Sequence, residues 1–268
     1  MPHRTTLALL LCLLVCHASH ASADSPSDMV RLAGGAFTMG RDDGPADERP
    51  AHTVTVAPFW LDIRPVTNAE FAAFLQRSGR LVDGAGRRLF DWDDDDARLR
   101  RRNGEWRADP GFADHPVVEA SWYGSVAYCA ALGKRLPSEA EWEFAARGTT
   151  ARRYPWGDAA PDATRARFGQ GWGETVPVAA RPAGATPEGI HDLTGNVHQW
   201  TSSIARPYPY RADDGREHPD RLADRVTRGG AADTGRPTLR STWRGKGVSR
   251  RATAGHHNIG FRCARDAH

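Results

Sequence analysis

The stretch Gly133-Lys134-Arg135-Leu136-Pro137-Ser138-Glu139-Ala140-Glu141-Trp142-Glu143 carries the strongest local structural signal in the chain. Ser138 and Glu141 are spaced as a capping box, in which each side chain accepts a hydrogen bond from the other residue's backbone N–H. Gly148 is placed to end a helix that begins at this box. The pattern predicts a helix from Ser138 to Gly148 that turns Trp142 toward the core.

Two further helices and several strands can be predicted from the same kinds of signal. Thr67 and Glu70 repeat the capping box, and Gly79 follows at a suitable distance to end that helix. Another helix is expected from Ser121 to Leu132, with Cys129 pointing inward. Strands are predicted at 36–39, 53–56, 59–63, 226–228 and 259–264.

The N-terminus has the three parts of a signal peptide. Arg4 is basic, the stretch from Leu7 to Cys16 is an apolar run of about ten residues, and Ala21-Ser22-Ala23 supplies small residues for cleavage. Residues 1–23 are therefore predicted to be removed after Ala23, with the chain exported to the periplasm or secreted. The alternative is an uncleaved membrane anchor or a lipoprotein. No later run is long and apolar enough to span a membrane.

The remaining chain predicts one domain at 29–265, preceded by a polar leader at 24–28. It is rich in loop-forming residues, since the sequence contains 27 glycines and 18 prolines, together with nine tryptophans. This composition indicates loops packed around aromatic anchors more than long regular elements. The formal net charge of +3 is too balanced to indicate nucleic-acid binding. We expect a monomer.

Two cysteines, Cys129 and Cys263, remain after the predicted cleavage. In an oxidising compartment such a pair is expected to form a structural disulfide. The alternative is two buried free thiols.

Residues 83–114 have the composition of a surface insertion. Asp93-Asp94-Asp95-Asp96 is followed by Arg98 and the arginine run at 100–102. Such an acidic run can bind a cation, but a solvated loop that pairs with its own arginines is the more ordinary interpretation.

A series of motifs resembles the formylglycine-generating enzyme, or sulfatase-modifying factor, family. The motifs, in chain order, are GAFTMG (35–40), PVTNAEF (65–71), HPVV (115–118), SW (121–122), GKRLPSEAEWE (133–143), YPWG (154–157), LTGNV (193–197), RGG (228–230) and NIGFR (258–262). The resemblance implies an α+β fold, a variant of the C-type-lectin-like domain with little regular structure. It also implies a disulfide between Cys129 and Cys263.

The copper chemistry of this family is not expected here. The formylglycine-generating enzyme binds copper(I) through two cysteines shortly after its RGG motif, because soft thiolates select copper(I). The matching segment, 231–240, reads AADTGRPTLR and has no cysteine. Oxidation of cysteine to formylglycine is therefore not predicted.

Two other branches of the family also use oxidative chemistry. The ergothioneine-type synthases are iron enzymes whose histidines lie largely in an extra helical domain, for which this chain has no room. His115 and Glu119 are four apart, but Pro116 lies between them and the predicted helix starts later, so the two side chains need not share a face. The exported pyoverdine-maturation branch, which is linked to oxidation of an exported peptide, fits the size, the export signal and the missing thiols best.

The resemblance implies a calcium site in the loop after Asp192. The family positions correspond to the side chains of Asp192 and Gln199 and to the carbonyl groups of Gly195 and Val197. All-oxygen loop ligands suit a hard cation. Gln199 stands where many relatives have Glu, so a weaker site or a merely hydrogen-bonded loop is the alternative.

The candidate catalytic residues are Asp233, His198, His256 and His257. Asp233 lies near the lost thiol positions and could act as a general base or a ligand. Paired histidines such as His256 and His257 can bind a transition metal, although neighbours in a strand point apart. A solvent-facing role for the histidines and a turn role for Asp233 are the alternatives.

These observations favour two hypotheses. In the first, the protein is an exported enzyme that matures a peptide or protein by oxidation, with an unassigned redox metal, iron or copper. In the second, it is a non-catalytic binding or regulatory module on the same fold.

Overall fold

The computed structural model describes residues 28–245 and 251–267. The predicted signal peptide at 1–23 and most of the leader lie outside the described residues. Within them, no helix combines the length and the apolar character that crossing a membrane requires.

Short elements joined by long irregular segments make up the described chain. The helices are α1 (Asn68–Ser78), α2 (Trp122–Ala131) and α3 (Glu139–Arg147). The strands are β1 (Met29–Leu32), β2 (Gly35–Met39), β3 (His52–Val56), β4 (Phe59–Asp62), β5 (Leu99–Arg102), β6 (Glu105–Ala108), β7 (His198–Ile204), β8 (Arg225–Arg228), β9 (Ile259–Gly260) and β10 (Ala264–Asp266). They form small sheets in the orders β1-β4-β10, β2-β3, β5-β6 and β8-β7-β9. The predicted α+β fold with little regular structure is confirmed.

The capping signals place the helices as predicted. The Thr67 and Glu70 side chains form the capping box of α1, and Gly79 closes this helix in the left-handed region at φ 62°. Ser138 and Glu141 form the capping box of α3, and Gly148 caps the C-terminal end of this helix. These contacts are local in the chain, which is why a sequence pattern can predict them.

The predicted strand at 259–264 is wrong, because the chain leaves one sheet and enters another within it. β9 pairs parallel with β7, whereas β10 pairs antiparallel with β4. Between them, the Arg262 guanidinium group donates to the Asp62 carbonyl, and the Cys263 N–H donates to the Asp62 carboxylate. The Cys263 carbonyl also accepts the Asp62 N–H, so contacts with Asp62 fix the chain where it passes from one sheet to the other.

The insertion at 83–114 contributes to the core, which its composition did not predict. Phe90 and Leu99 are fully buried, and the β5-β6 hairpin packs against α1. Its charges also pair differently from the expectation that the acidic run at 93–96 pairs with the arginines after it. Asp93 pairs with Arg88, while Arg102 pairs with Asp109, so the acidic run does not neutralise the arginines that follow it.

A bridge between Cys129 and Cys263 joins α2 to the residue just before β10. Both cysteines are fully buried. Aromatic rings surround them: Tyr128 stacks on Phe71 at 5.8 Å and meets Phe261 edge-on at 5.4 Å. The predicted disulfide is thus part of the largest hydrophobic cluster of the described chain.

A buried ion network ties α3 to β8. The Arg228 guanidinium group donates to the carboxylates of Glu139 and Glu143 at 3.0 and 2.6 Å, and to the Ser241 carbonyl. Nε of Arg244 donates to the same Glu139 oxygen, Oε1, at 2.6 Å. Because β8 runs directly into the 229–235 turn, this network fixes the position of that turn.

We expect reduction of the disulfide to destabilise the fold strongly. The bridge closes a loop with a sequence separation of 134, and the chain-entropy model gives ~5 kcal/mol for a loop of that size. Urea unfolding with and without reductant measures the loss. The Cys129→Ala/Cys263→Ala double variant is the control, because its stability should not respond to reductant. Two titratable thiols in the unreduced protein would contradict the bridge.

Candidate functional site

His257 and Asp233 form a hydrogen-bonded pair. Nε2 of His257 lies 2.9 Å from Oδ2 of Asp233, and the Asn258 amide donates to the same carboxylate at 3.2 Å. Burial opposes ionisation of Asp233, but the hydrogen bonds from His257 and Asn258 outweigh it and lower the pKa of this carboxyl group. Asp233 is therefore an anion that can hold the imidazole in one orientation.

The turn that holds Asp233 is built from hydroxyl and backbone contacts. Oγ1 of Thr234 accepts the Ala231 N–H at 2.8 Å and contacts Oγ1 of Thr238 at 2.8 Å. Leu239, further along the segment, is fully buried beside Tyr154. The segment 231–240 therefore presents hydroxyl groups and an apolar side chain where a copper(I) site needs thiolates. These residues do not fit a copper(I) centre.

Trp172 covers the imidazole of His257. The two rings stack with centroids 3.3 Å apart, and the indole Nε1 donates to Oδ2 of Asp96 at 2.6 Å. Trp172 as a whole is 64% exposed. The cleft beside the pair has a volume of only about 10 Å³, and the His257 side chain is 18% exposed.

The other two histidines do not join this pair. His198 is fully buried and stacks on Trp243 at 5.1 Å, and burial lowers the pKa of His198 to about 3. His256 packs against Trp200 at 5.7 Å. Of the four candidate residues, the structure brings only Asp233 and His257 into contact, and the solvent-facing alternative is wrong for His198.

A redox-metal site does not form among the candidates. Across 28–245 and 251–267, the one group of three His, Cys, Asp or Glu side chains within metal-binding distance of one another consists of carboxylates. Its members are Asp94, Asp96 and Glu119, whose ligand oxygens all lie within 4.8 Å of one another. An imidazole-rich iron or copper site therefore does not fit the arrangement of these residues.

Sequence reasoning missed Trp172, and it considered Glu119 only as a partner of His115 and not of the acidic run. The sequence contained a partial signal for the cluster, since Asp94 and Asp96 belong to the acidic run. Glu119 is 3% exposed and adopts φ 61°, a left-handed conformation that is unusual for this residue type. Burial, and then the charges of Asp94, Asp91 and Asp96, raise the pKa of Glu119 to about 8.

The loop after Asp192 fits the implied calcium site only in part. Oε1 of Gln199 already accepts hydrogen bonds from Trp142 at 3.0 Å and Arg262 at 2.7 Å, and Nε2 donates to the Asp192 carbonyl. The Asp192 carboxylate is buried and accepts the Ala179 N–H at 2.6 Å. Gln199 is therefore committed to protein partners and does not fit a ligand role. Calcium stays a prediction that rests on Asp192 and the Gly195 and Val197 carbonyls.

An apolar groove of about 480 Å³ lies between β3, α2 and α3. Apolar side chains form most of its wall: Val56, Trp122, Val126, Leu136 and Tyr210. Lys134, Glu141 and Glu217 add charges at its margins. The groove shares no lining residue with the cleft at His257.

The fold of small sheets, few helices and one buried disulfide is that of a known family of domains. The family model described as "Sulfatase-modifying factor enzyme 1-like domain" matches residues 17–267. The chain belongs to this family.

Similar proteins differ in how much of their own length this chain covers. The serine/threonine-protein kinase Pkn1 of Chlamydia trachomatis serovar L2 is 37% identical over 245 residues, 90% of this chain. This chain spans only 38% of that kinase. The formylglycine-generating enzyme of Streptomyces coelicolor is 36% identical, over 91% of this chain and 90% of the enzyme. The structure of PvdO from Pseudomonas aeruginosa superposes with a TM-score of 0.64 at 25% identity, covering 89% of this chain and 94% of PvdO.

We expect Gln199→Ala to lower the free energy of unfolding by about 3 kcal/mol, because it leaves the buried Arg262 guanidinium group without one of its acceptors. Urea unfolding should show the same loss in calcium and in a chelator, since the amide binds protein groups. Gln170→Ala, at an exposed glutamine, is the matched control. A loss seen only in the presence of calcium would identify Gln199 as a ligand after all.

Proposed function

We propose that this chain is an exported member of the sulfatase-modifying factor family that matures a peptide or protein. The His257–Asp233 pair serves as its proton-transfer group. The observation that carries the proposal is the 2.9 Å contact between Nε2 of His257 and Oδ2 of Asp233, a residue of the segment that follows the RGG motif. The signal-peptide pattern at 1–23 and the buried disulfide support the export part of the proposal.

The chemistry that the chain's own residues can supply is acid–base catalysis. An imidazole takes or gives a proton near neutral pH, and a carboxylate held against it favours the protonated form. Asn258 fixes the carboxylate from its other side. The relative named formylglycine-generating enzyme supports an oxidative type of reaction. Oxidation also needs an electron acceptor, and because the described residues form neither a thiolate nor an imidazole metal site, we derive no redox step.

A non-catalytic binding module is the second candidate, and the apolar groove favours it. The groove has a volume of about 480 Å³, against about 10 Å³ for the cleft at His257. A binding module would use the groove and would not depend on the imidazole. The two functions therefore predict different effects of the same substitution.

We expect no formylglycine formation from a sulfatase-motif peptide in the presence of copper. The segment 231–240 provides hydroxyl and apolar side chains, which do not hold copper(I). Mass spectrometry of the peptide is the measurement, with the Streptomyces coelicolor formylglycine-generating enzyme as the positive control. Efficient turnover by this chain would contradict the exclusion of copper–thiolate chemistry.

We expect His257→Gln to abolish a covalent modification of an exported protein, because glutamine cannot take up the proton. Exported proteins from cells that lack the gene, and from cells that carry the wild type or a variant, can be compared by peptide mapping and mass spectrometry. Asp233→Asn should reduce the modification strongly, since the imidazolium loses its counter-charge.

His218→Gln is the matched control for this experiment, because His218 is exposed and far from the turn in sequence. It should leave the modification unchanged. If a modification depends on the gene but is the same with His257→Gln, the assigned centre is wrong. If no modification depends on the gene, the binding module is the better function.

A further inference from the structure

The acidic run at 93–96 divides into residues with different partners. Asp93 pairs with Arg88 at 2.5 Å, and the carbonyl of Asp95 accepts a hydrogen bond from Arg100. Asp94 and Asp96 instead turn toward Glu119, which lies outside the insertion and just before α2. Two side chains of a surface loop and one from the body of the domain therefore meet at one point.

Glu119 distinguishes this cluster from an ordinary solvated acidic loop. The residue is only 3% exposed, and among the described residues no side-chain hydrogen bond or ion pair reaches its carboxylate. The groups that face it are Asp91, Asp94 and Asp96, all acidic, and its own backbone N–H donates to the His256 carbonyl. A buried carboxylate with only carboxylates around it is costly unless a cation compensates it.

The position of Glu119 is fixed by its backbone. Its N–H donates to the His256 carbonyl at 3.1 Å, and its own carbonyl accepts the Asp91 N–H at 3.0 Å. The Gly255 backbone packs so closely on Glu119 that an added Cβ would lie 2.3 Å from the Glu119 carbonyl oxygen. The main chain at Glu119 is therefore held in place, and a backbone shift that would carry the carboxylate toward solvent is opposed by these contacts.

We infer that Asp94, Asp96 and Glu119 form a binding site for a hard divalent cation such as Ca²⁺. The ligand oxygens of the three residues lie within 4.8 Å of one another, a separation that one ion can bridge. Carboxylate oxygens are the preferred ligands of hard cations, and an open site leaves room for water to complete the coordination. This site is separate from the loop after Asp192 and from the family's thiolate position.

Trp172 provides a built-in optical probe for this site. Its indole Nε1 donates to Oδ2 of Asp96 at 2.6 Å, so an ion bound to Asp96 changes the charge next to the indole. The ring is also 64% exposed, which makes its emission sensitive to its surroundings. Binding should therefore appear as a saturable change of tryptophan fluorescence.

The test is a titration of the chelator-treated mature protein with CaCl₂, followed both by fluorescence and by equilibrium dialysis. It is performed in the Asp192→Asn background, so that the other predicted calcium site does not contribute. We expect saturable binding of one ion per chain with a Kd on the order of 10⁻⁴ M. Glu119→Gln should weaken it at least about tenfold, because the substitution keeps the shape of the side chain and removes its charge.

Two further variants keep the test decisive. Asp96→Asn lies on the insertion and should weaken binding in the same way, even if Glu119→Gln were to fold poorly. Asp95→Asn, in the same run but outside the cluster, should change the Kd by less than about twofold. Trp172→Phe should lose the fluorescence change and retain the ion in dialysis. Equal binding by Glu119→Gln, Asp96→Asn and Asp95→Asn, or no saturable binding by the parent protein, would overturn the inference.

Discussion

The fully buried guanidinium group of Arg228 is the interaction on which the arrangement of the domain depends. It holds Glu139 and Glu143 of α3, while Arg244 from a third segment pairs with Glu139 and Arg147 pairs with Glu143. Removing such charges from water costs several kcal/mol per ion, and this cost is offset only when every partner is in place. The network therefore selects one placement of α3 against β8. The turn that carries Asp233 follows directly after β8, so the network also fixes the position of this turn relative to α3.

The parts of the fold that could be predicted are those fixed by local contacts. The capping boxes at Thr67 and Ser138 determined both helix starts because their partners lie three residues away. The break between β9 and β10 could not be predicted in this way. It depends on hydrogen bonds from Arg262 and Cys263 to Asp62, about 200 positions earlier in the chain. Periodicity in 259–264 contains no information on such partners.

The candidate site likewise has parts that the sequence predicts and parts that depend on residues distant in the chain. Residue type and family position selected Asp233 and the histidines, and the structure shows that Asp233 and His257 meet, while the rings of His198 and His256 pack against Trp243 and Trp200. The family position suggested a ligand role for Gln199, but Trp142 and Arg262, which occupy its amide oxygen, are distant in sequence. Glu119 was set aside because Pro116 separates it from His115. Its acidic neighbours come from a loop whose path only the tertiary structure reveals.

Because of the cross-link between Cys129 and Cys263, a proteolytic cut has a different result inside the bridged segment than outside it. A single cut anywhere in the segment that the bridge encloses, including the irregular loops from 148 to 197 and from 205 to 224, leaves two fragments that are still covalently joined. A cut in the insertion at 83–114 lies outside the enclosed segment and breaks the covalent link between the part that carries β1 to β4 and α1 and the remainder of the chain, which includes β10. The bridge therefore protects the covalent continuity of the chain between residues 129 and 263 and leaves the part before Cys129, including that insertion, without this protection.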